Sequence, residues 1–142
     1  MTIYLPDTNA CVRFLRGRDA ALIDRWLEAA PALRLSAIVV AELHYGVARV
    51  ANRPDAPGTF KTREWRRVNN LISRLPFERF NDSDAVEFGR LRARLERRGE
   101  TIGPYDLLIA AQALRLNATI VTHNVREFQR VPGLKIEDWQ QA

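Results

Sequence analysis

Five short segments that begin and end on apolar residues, separated by longer stretches of helical periodicity, set the tightest limit on how this chain can fold. They lie at residues 3–5, 33–35, 77–80, 118–121 and 134–136. Each is too short for a stable helix and reads as a strand, the first of them buried. Between them, Leu22, Ile23, Trp26, Leu27 and Ala30 recur at the spacing of one helical face and predict a helix over residues 19–30. The same reading gives a helix over residues 10–15 and another from an N-cap at Ser36 to about residue 50. Trp65, Val68, Leu71, Ile72 and Leu75 predict a helix over residues 65–75, after a Pro- and Gly-containing loop at residues 52–59. Residues 82–98 form a helix with acids in its first turn and arginines in its last, as the helix dipole favours. Gly103-Pro104 opens a strongly apolar helix to about residue 116, with proline suited to the first helical position.

Strands alternating with helices imply an α/β domain with a mostly parallel sheet. The 142 residues suit one such domain, spanning residues 1–142. In open parallel sheets, ligands gather at the carboxyl ends of the strands. Asp7 lies just past the first strand, and Asn124 and Glu127 just past the fourth.

Composition narrows the class of function. A single cysteine, Cys11, excludes an intrachain disulfide framework and suits a reducing cytoplasm. The opening residues carry neither a basic leader nor a long apolar core, and no apolar run reaches the roughly 20 residues of a membrane span, so a cytoplasmic protein is expected. The net charge of +5 favours polyanionic partners, nucleic acid above all, through phosphate neutralisation.

The acids carry the sharper signal. Asp7 by itself reads as a helix N-cap, and Asp82 and Asp84 are assigned to capping as well. Glu42 shares a helical stripe with Val39, Leu43, Gly46 and Val50, so it projects from an apolar face, where a carboxylate needs a partner or a metal. Asp106 sits on the same stripe as Ile109, Ala110, Ala113 and Leu114. A salt bridge to an arginine is the ordinary explanation for Glu42, and the helix dipole for Asp106. Two like charges about 4 Å apart repel by roughly 4 kcal/mol at an effective dielectric near 20. Several unpaired carboxylates would therefore consume much of a domain's stability of about 5–15 kcal/mol, and a divalent cation removes that cost. All-oxygen ligands call for Mg²⁺ or Mn²⁺, whereas Cys11, His44 and His123 lack the spacing of a zinc site.

Four stretches in order carry a resemblance. They are Asp7-Thr8-Asn9; Ser36 through Ala41-Glu42-Leu43-His44-Tyr45-Gly46; Gly103-Pro104-Tyr105-Asp106-Leu107-Leu108-Ile109-Ala110-Ala111; and Thr122-His123-Asn124 with Glu127-Phe128. Together they resemble the motifs of PIN-domain ribonucleases. The closing Val131-Pro132-Gly133-Leu134 and Glu137-Asp138-Trp139 resemble the VapC toxins of type II toxin–antitoxin pairs. The resemblance implies a three-layer α/β/α sandwich around a parallel sheet of four to five strands, with Asp7, Glu42 and Asp106 converging. Glu127 takes the place of a fourth acid that is commonly aspartate. The expected roles are direct Mg²⁺ ligation by Asp7 and Asp106, with Glu42 and Glu127 holding a second ion or acting through water. Thr8, Asn9, Thr122 and Asn124 are expected to hold the carboxylates by hydrogen bonds. Arg66 and Arg67, in the segment at residues 52–67 that is longer than in compact members, are expected to contact RNA.

The resemblance further implies an endoribonuclease toxin that cuts a structured RNA such as a tRNA. Its expected partners are a small antitoxin and a second copy of itself, in a homodimer and a toxin–antitoxin hetero-oligomer. Two rival readings use the same fold: an inactive RNA-binding or interaction module, and a metal-dependent DNA nuclease or phosphatase.

Overall fold

The computed structural model describes residues 1–55 and 58–140. Among them the chain forms β1 (Tyr4–Pro6), α1 (Thr8–Arg16), α2 (Ala20–Ala29), β2 (Leu35–Ser36), α3 (Ala37–Ala51), α4 (Gly58–Arg74), β3 (Phe77–Glu78), α5 (Asp82–Arg98), α6 (Pro104–Leu116), β4 (Thr119–Val121), α7 (Val125–Phe128) and β5 (Lys135–Glu137). This is the alternating α/β order expected from the sequence.

The strands all pair in parallel. β1 pairs with β4 and β4 with β5, while β2 pairs with β3. A lone bridge between Tyr4 and Leu33 joins the two groups, with Arg34 N donating to Tyr4 O at 2.9 Å. The spatial order is therefore β3-β2-β1-β4-β5. From β1 the chain first winds outward through β2 to β3, then returns to the other side of β1 for β4 and β5. Right-handed crossovers, nearly universal between parallel strands, place the helices before and after that reversal on opposite faces of the sheet. The reversal falls between β1 and β4, where a doubly wound sheet opens its crevice.

Apolar residues dominate the buried strand positions: Leu5, Leu35, Ile120 and Val121 are all buried, with Leu33 at the bridge, and Ser36 and Thr119 are the polar residues buried among them. From α6, Ile109, Ala110, Ala111 and Ala113 pack into the same core, as does Phe128 of α7. Phe14 stacks on Trp26 with ring centroids 4.2 Å apart, locking α1 to α2. Among the described residues no helix is long and apolar enough to cross a membrane.

Three details depart from the sequence reading. First, α4 starts at Gly58 rather than Trp65, so residues 58 and 59 of the expected loop are helical, while residues 56 and 57 lie outside the described residues. The early turns of α4 are polar and give no periodic signal, and Trp65, counted as the first core position, is exposed. Second, Leu27 of α2 is likewise exposed. Third, α7 escaped notice because four residues are too few to show a 3.6-residue period.

The acids assigned to capping also divide. Asn81 is the N-cap of α5, and Asp84 completes a capping box: Asp84 N donates to Asn81 Oδ1 at 3.1 Å, and Asn81 N to Asp84 Oδ2 at 2.9 Å. Asp82 stays exposed in the first turn. Asp84 does more than cap. Its side chain is fully buried and receives Arg115 in a two-pronged ion pair, Nε to Oδ1 at 2.5 Å and Nη2 to Oδ2 at 3.1 Å. Arg115 Nη2 also reaches Glu78 Oε1 at 3.3 Å, so one guanidinium ties α6 to α5 and β3.

Candidate active site

The chain leaves β1 at Pro6 and turns straight into α1, which puts Asp7 at the crevice. Its backbone N–H donates to Val121 O at 2.9 Å, extending the β1–β4 ladder by one bond. Asp7 is only 4% exposed, and its two carboxylate oxygens have separate duties. Oδ1 accepts from Ala10 N at 2.8 Å and caps α1; Oδ2 accepts from Thr122 Oγ1 at 2.5 Å. The capping role and the site role thus coexist. Thr122 Oγ1 in turn accepts from Asn124 N at 2.9 Å, which fixes the hydroxyl for donation to Asp7.

Glu42 and Asp106 arrive on α3 and α6, and one buried amide positions both helices. Ser36, at the end of β2, caps α3 by accepting from Ile38 N at 3.1 Å and donates to Gln112 Oε1 at 2.5 Å. Gln112 Nε2 donates to Glu78 O and Arg79 O, each at 3.1 Å. Because Gln112 is fully buried on α6, this clasp fixes α6 against the ends of β2 and β3 while anchoring the start of α3. At the site itself, Thr8 Oγ1 donates to Glu42 Oε1 at 2.6 Å. Asn124 Nδ2 donates to Glu127 Oε2 at 2.7 Å, and the same side chain favours the ionised form of Asp106.

The electrostatics record the crowding. Burial pushes the Asp106 carboxyl up to about 6, and the charges of Asp7, Glu42 and Glu127 add to that rise against the hydrogen bond from Asn124. Burial also raises Asp7, opposed by the bonds from Thr122 and Ala10 and reinforced by Glu42 and Asp138. Among the described residues, the ion pairs take in Asp19, Asp84, Asp138 and several glutamates but not Asp7, Glu42, Asp106 or Glu127. The ordinary explanation offered for Glu42, a salt bridge to an arginine, therefore fails among the described residues, while Asp7 does cap α1 and Asp106 does lie in the first turn of α6.

A hollow of about 220 Å³ is lined by Asp7, Thr8, Asn9, Glu42 and Asp106, with Gly103 to Tyr105 at its edge. Among the described residues no three His, Cys, Asp or Glu groups form a closed ligand shell, so the carboxylates surround the hollow without meeting at a point. The donor set still fits a hard divalent cation: every donor is oxygen, and the lifted Asp106 carboxyl marks an uncompensated cost that such an ion removes.

Other expectations land differently. Asn9 is exposed and hydrogen-bonds none of the acids; it stands where three hollows adjoin. Arg66 is exposed, whereas Arg67 donates from Nη2 to Leu15 O in the last turn of α1 and from Nη1 to Glu64 Oε1 at 3.4 Å. Its guanidinium thus links α4 to α1. His44 is exposed and outside the cluster. The sequence reading missed Asp138, whose charge bears on Asp7 and whose Oδ2 lies 3.0 Å from His123 Nδ1. The signal was present: Asp138 directly follows β5, as Asp7 directly follows β1.

The Thr8 hydroxyl fixes the Glu42 carboxylate by the bond it donates. Thr8→Val is expected to weaken the binding of a divalent cation in this hollow by about 10- to 100-fold, the usual cost of losing a group that orients a metal-binding carboxylate. Unchanged cation affinity with an unchanged fold would show that Glu42 needs no such support.

Fold and site together define a PIN-domain protein, and the PIN domain family model matches residues 4–134. The tRNA(fMet)-specific endonuclease VapC of Salmonella typhimurium is 34% identical over 98% of this chain and 99% of its own. A crystal structure of VapBC2 from Rickettsia felis, bound to a DNA fragment from its promoter, superposes with a TM-score of 0.85 at 34% identity, covering 98% of this chain and 100% of that one. DNA-bound VapBC from Salmonella typhimurium gives a TM-score of 0.84 at 31% identity, covering 98% and 99%. Within the PIN-domain proteins, this chain belongs to the VapC family of ribonuclease toxins from VapBC toxin–antitoxin systems.

Proposed function

We propose that this chain is an Mg²⁺- or Mn²⁺-dependent endoribonuclease that cuts structured RNA, with tRNA as the substrate class, and that a small antitoxin protein restrains it in the cytoplasm. The observation that carries the reading is that Asp7, Glu42 and Asp106 line one hollow where the sheet reverses, with the charge of Glu127 bearing on Asp106, and that none of the four enters an ion pair among the described residues. Relatives named as tRNA(fMet)-specific endonucleases and the VapBC complexes support the substrate and partner classes.

Asp7 and Asp106 would hold the ion directly, with Glu42 and Glu127 binding a second ion or acting through water. Such an ion, when bound, would make a water more acidic and offset negative charge at the phosphodiester. The chain's own residues hold this arrangement in place. Thr122 and Ala10 orient Asp7 and favour its ionised form by donating to its two oxygens. Thr8 holds Glu42, and Asn124 spans Glu127 and Asp106. The Gln112 clasp fixes the two helices that carry Glu42 and Asp106.

Incubation of the purified protein with RNA, single-stranded DNA and a small phosphoester, each with Mg²⁺ or EDTA, tests the reading. RNA alone should be cut, and only with the metal. Cleavage of DNA would identify a DNA nuclease, hydrolysis of the phosphoester a phosphatase, and RNA binding without cleavage an inactive module.

Arg66 and Arg67 remain the proposed partners of the RNA backbone. Arg66→Glu is expected to weaken RNA binding and to reduce the slope of log affinity against log salt by about 0.7–0.9 for each phosphate no longer neutralised. Arg67→Glu should also loosen α4 from α1, so its effect is read beside a melting curve. An unchanged slope in Arg66→Glu would remove that residue from the interface.

A further inference from the structure

A second hollow, about 360 Å³ in volume, adjoins the acid cluster and shares Asp7 and Asn9 with it. Its remaining wall includes Arg13, Arg16, His123 and Asn124. A helix dipole accounts for cations in the last turn of α1, where Arg13 and Arg16 sit. It does not account for their sharing a hollow with Asp7 and with a tethered imidazole. Arg13 is held through Nε by Asp19 Oδ2 at 2.7 Å. Arg16 is exposed and enters no ion pair or side-chain hydrogen bond among the described residues. His123 Nδ1 faces Asp138 Oδ2 at 3.0 Å, and Asp138 Oδ1 is itself fixed by Gln140 N at 3.0 Å. That engagement leaves Nε2 as the remaining polar atom of the ring. With the Nδ1 proton directed to the carboxylate, Nε2 of the neutral ring is an acceptor.

The chemistry of the neighbouring site gives such a hollow a use. Asp7, Glu42, Asp106, Glu127 and Asp138 repel a polyanion, and charges in salt are felt over only about 8–10 Å. Cations that keep a nucleic-acid strand against these acids must stand close by, and Arg13 and Arg16 line the same hollow as Asp7. An acceptor beside them suits a donor that RNA has and DNA lacks, the ribose 2′-hydroxyl. The volume is within the range of ligand pockets, roughly 300–1,000 Å³.

We propose that this hollow seats the ribonucleotide next to the cleaved phosphodiester, with Arg16 and Arg13 holding its phosphate and His123 Nε2 accepting a hydrogen bond from its 2′-hydroxyl. The assignment rests on the ribonuclease reading and deepens it by locating how ribose is told from deoxyribose. Asp138 is a positioning residue that fixes the imidazole.

The test uses full-length protein made cleavage-deficient by Asp106→Asn, a residue outside the hollow. Fluorescence anisotropy compares an oligouridylate with the oligodeoxyuridylate of equal length over a range of salt. The parent should prefer the ribo-oligomer. His123→Phe should reduce that preference by about fivefold, the worth of one ordinary hydrogen bond, while binding of the deoxy-oligomer stays unchanged. Arg16→Gln should weaken both oligomers alike and lower the salt slope by about 0.7. Melting temperatures within a degree or two of the parent exclude a structural cause. No ribo preference in the parent, an undiminished preference in His123→Phe, or an unchanged slope in Arg16→Gln overturns the subsite. If the native protein cleaves RNA while any of these results is found, the subsite alone falls. If the native protein neither cleaves nor binds RNA, the ribonuclease reading falls and takes the subsite with it.

Discussion

Asp7→Asn and Asp106→Asn are each expected to reduce RNA cleavage by at least about a thousandfold and to leave a folded protein, since the proposed ion's contribution is several kcal/mol and each 1.36 kcal/mol is tenfold in rate. Asparagine is the informative substitution at Asp7. Its amide oxygen still caps α1 through Ala10 N, and its amide NH₂ can donate to the Thr122 hydroxyl that now donates to Oδ2. Loss of activity then reports the missing charge rather than a missing helix cap. Single-turnover assays with metal-contamination controls read the rate, and circular dichroism reads the fold. Full activity in both variants would end the proposal that these acids perform the chemistry.

Asp106→Asn should have a second effect of opposite sense. The folded carboxyl sits at about 6, above its ordinary 3.8, so the fold favours the protonated form. Ionisation of Asp106 therefore costs stability at every pH above about 6, and the cost fades as pH falls from 6 toward 3.8. Asparagine removes the cost altogether. After discounting for partial solvent screening, the metal-free variant should be about 1 kcal/mol more stable at pH 7.5, or about 3 °C in melting temperature. Near pH 4 the two proteins should melt together. Added Mg²⁺ should stabilise the native protein and leave the variant nearly unmoved. A variant that melts lower than native at pH 7.5 would mean that Asp106 is a structural group.

The largest expected loss of stability lies away from the acids. Arg115→Met should cost about 3–5 kcal/mol, because it strands the fully buried Asp84 carboxylate without a partner. The capping-box bonds with Asn81 satisfy part of Asp84 but supply no positive charge. Chemical denaturation reads the change, and the doubly substituted Arg115→Met, Asp84→Leu protein should recover much of it, since no charge is then left buried. A loss below about 1 kcal/mol in the single variant would show that water reaches Asp84 easily.

The strand and helix order was legible because buried parallel strands favour short segments of apolar and β-branched residues, and Ile3 to Leu5 and Thr119 to Val121 supply them. Three of the acids were legible for a related reason. Glu42 and Asp106 stand on apolar stripes and Asp7 at a strand end, positions where charge is out of place without a purpose. Asp138 follows the same rule at β5 but was passed over, because a strand of three residues with an exposed lysine gives a faint apolar signal. Periodicity misplaced Trp65 because an aromatic ring at the right spacing looks like core whether or not anything covers it. The Asp84–Arg115 pair was not legible at all. Its partners are 31 residues apart, and nothing in a sequence states which of many arginines will close on a capping aspartate.

The sheet has a thin line through it. Between β1 and β2 the backbone makes a single bridge, at Tyr4 and Leu33, where the other neighbours share full ladders. Asp7 belongs to one side of that line and Glu42, on the helix anchored in β2, to the other; the Thr8–Glu42 hydrogen bond already crosses it. An ion drawing these acids inward would act as a rivet across the weakest seam of the molecule. Amide hydrogen exchange at Arg34, whose N–H donates to Tyr4 O across that seam, would slow when it binds, and the cutting edge and the stiffness of the blade would be set by the same atom.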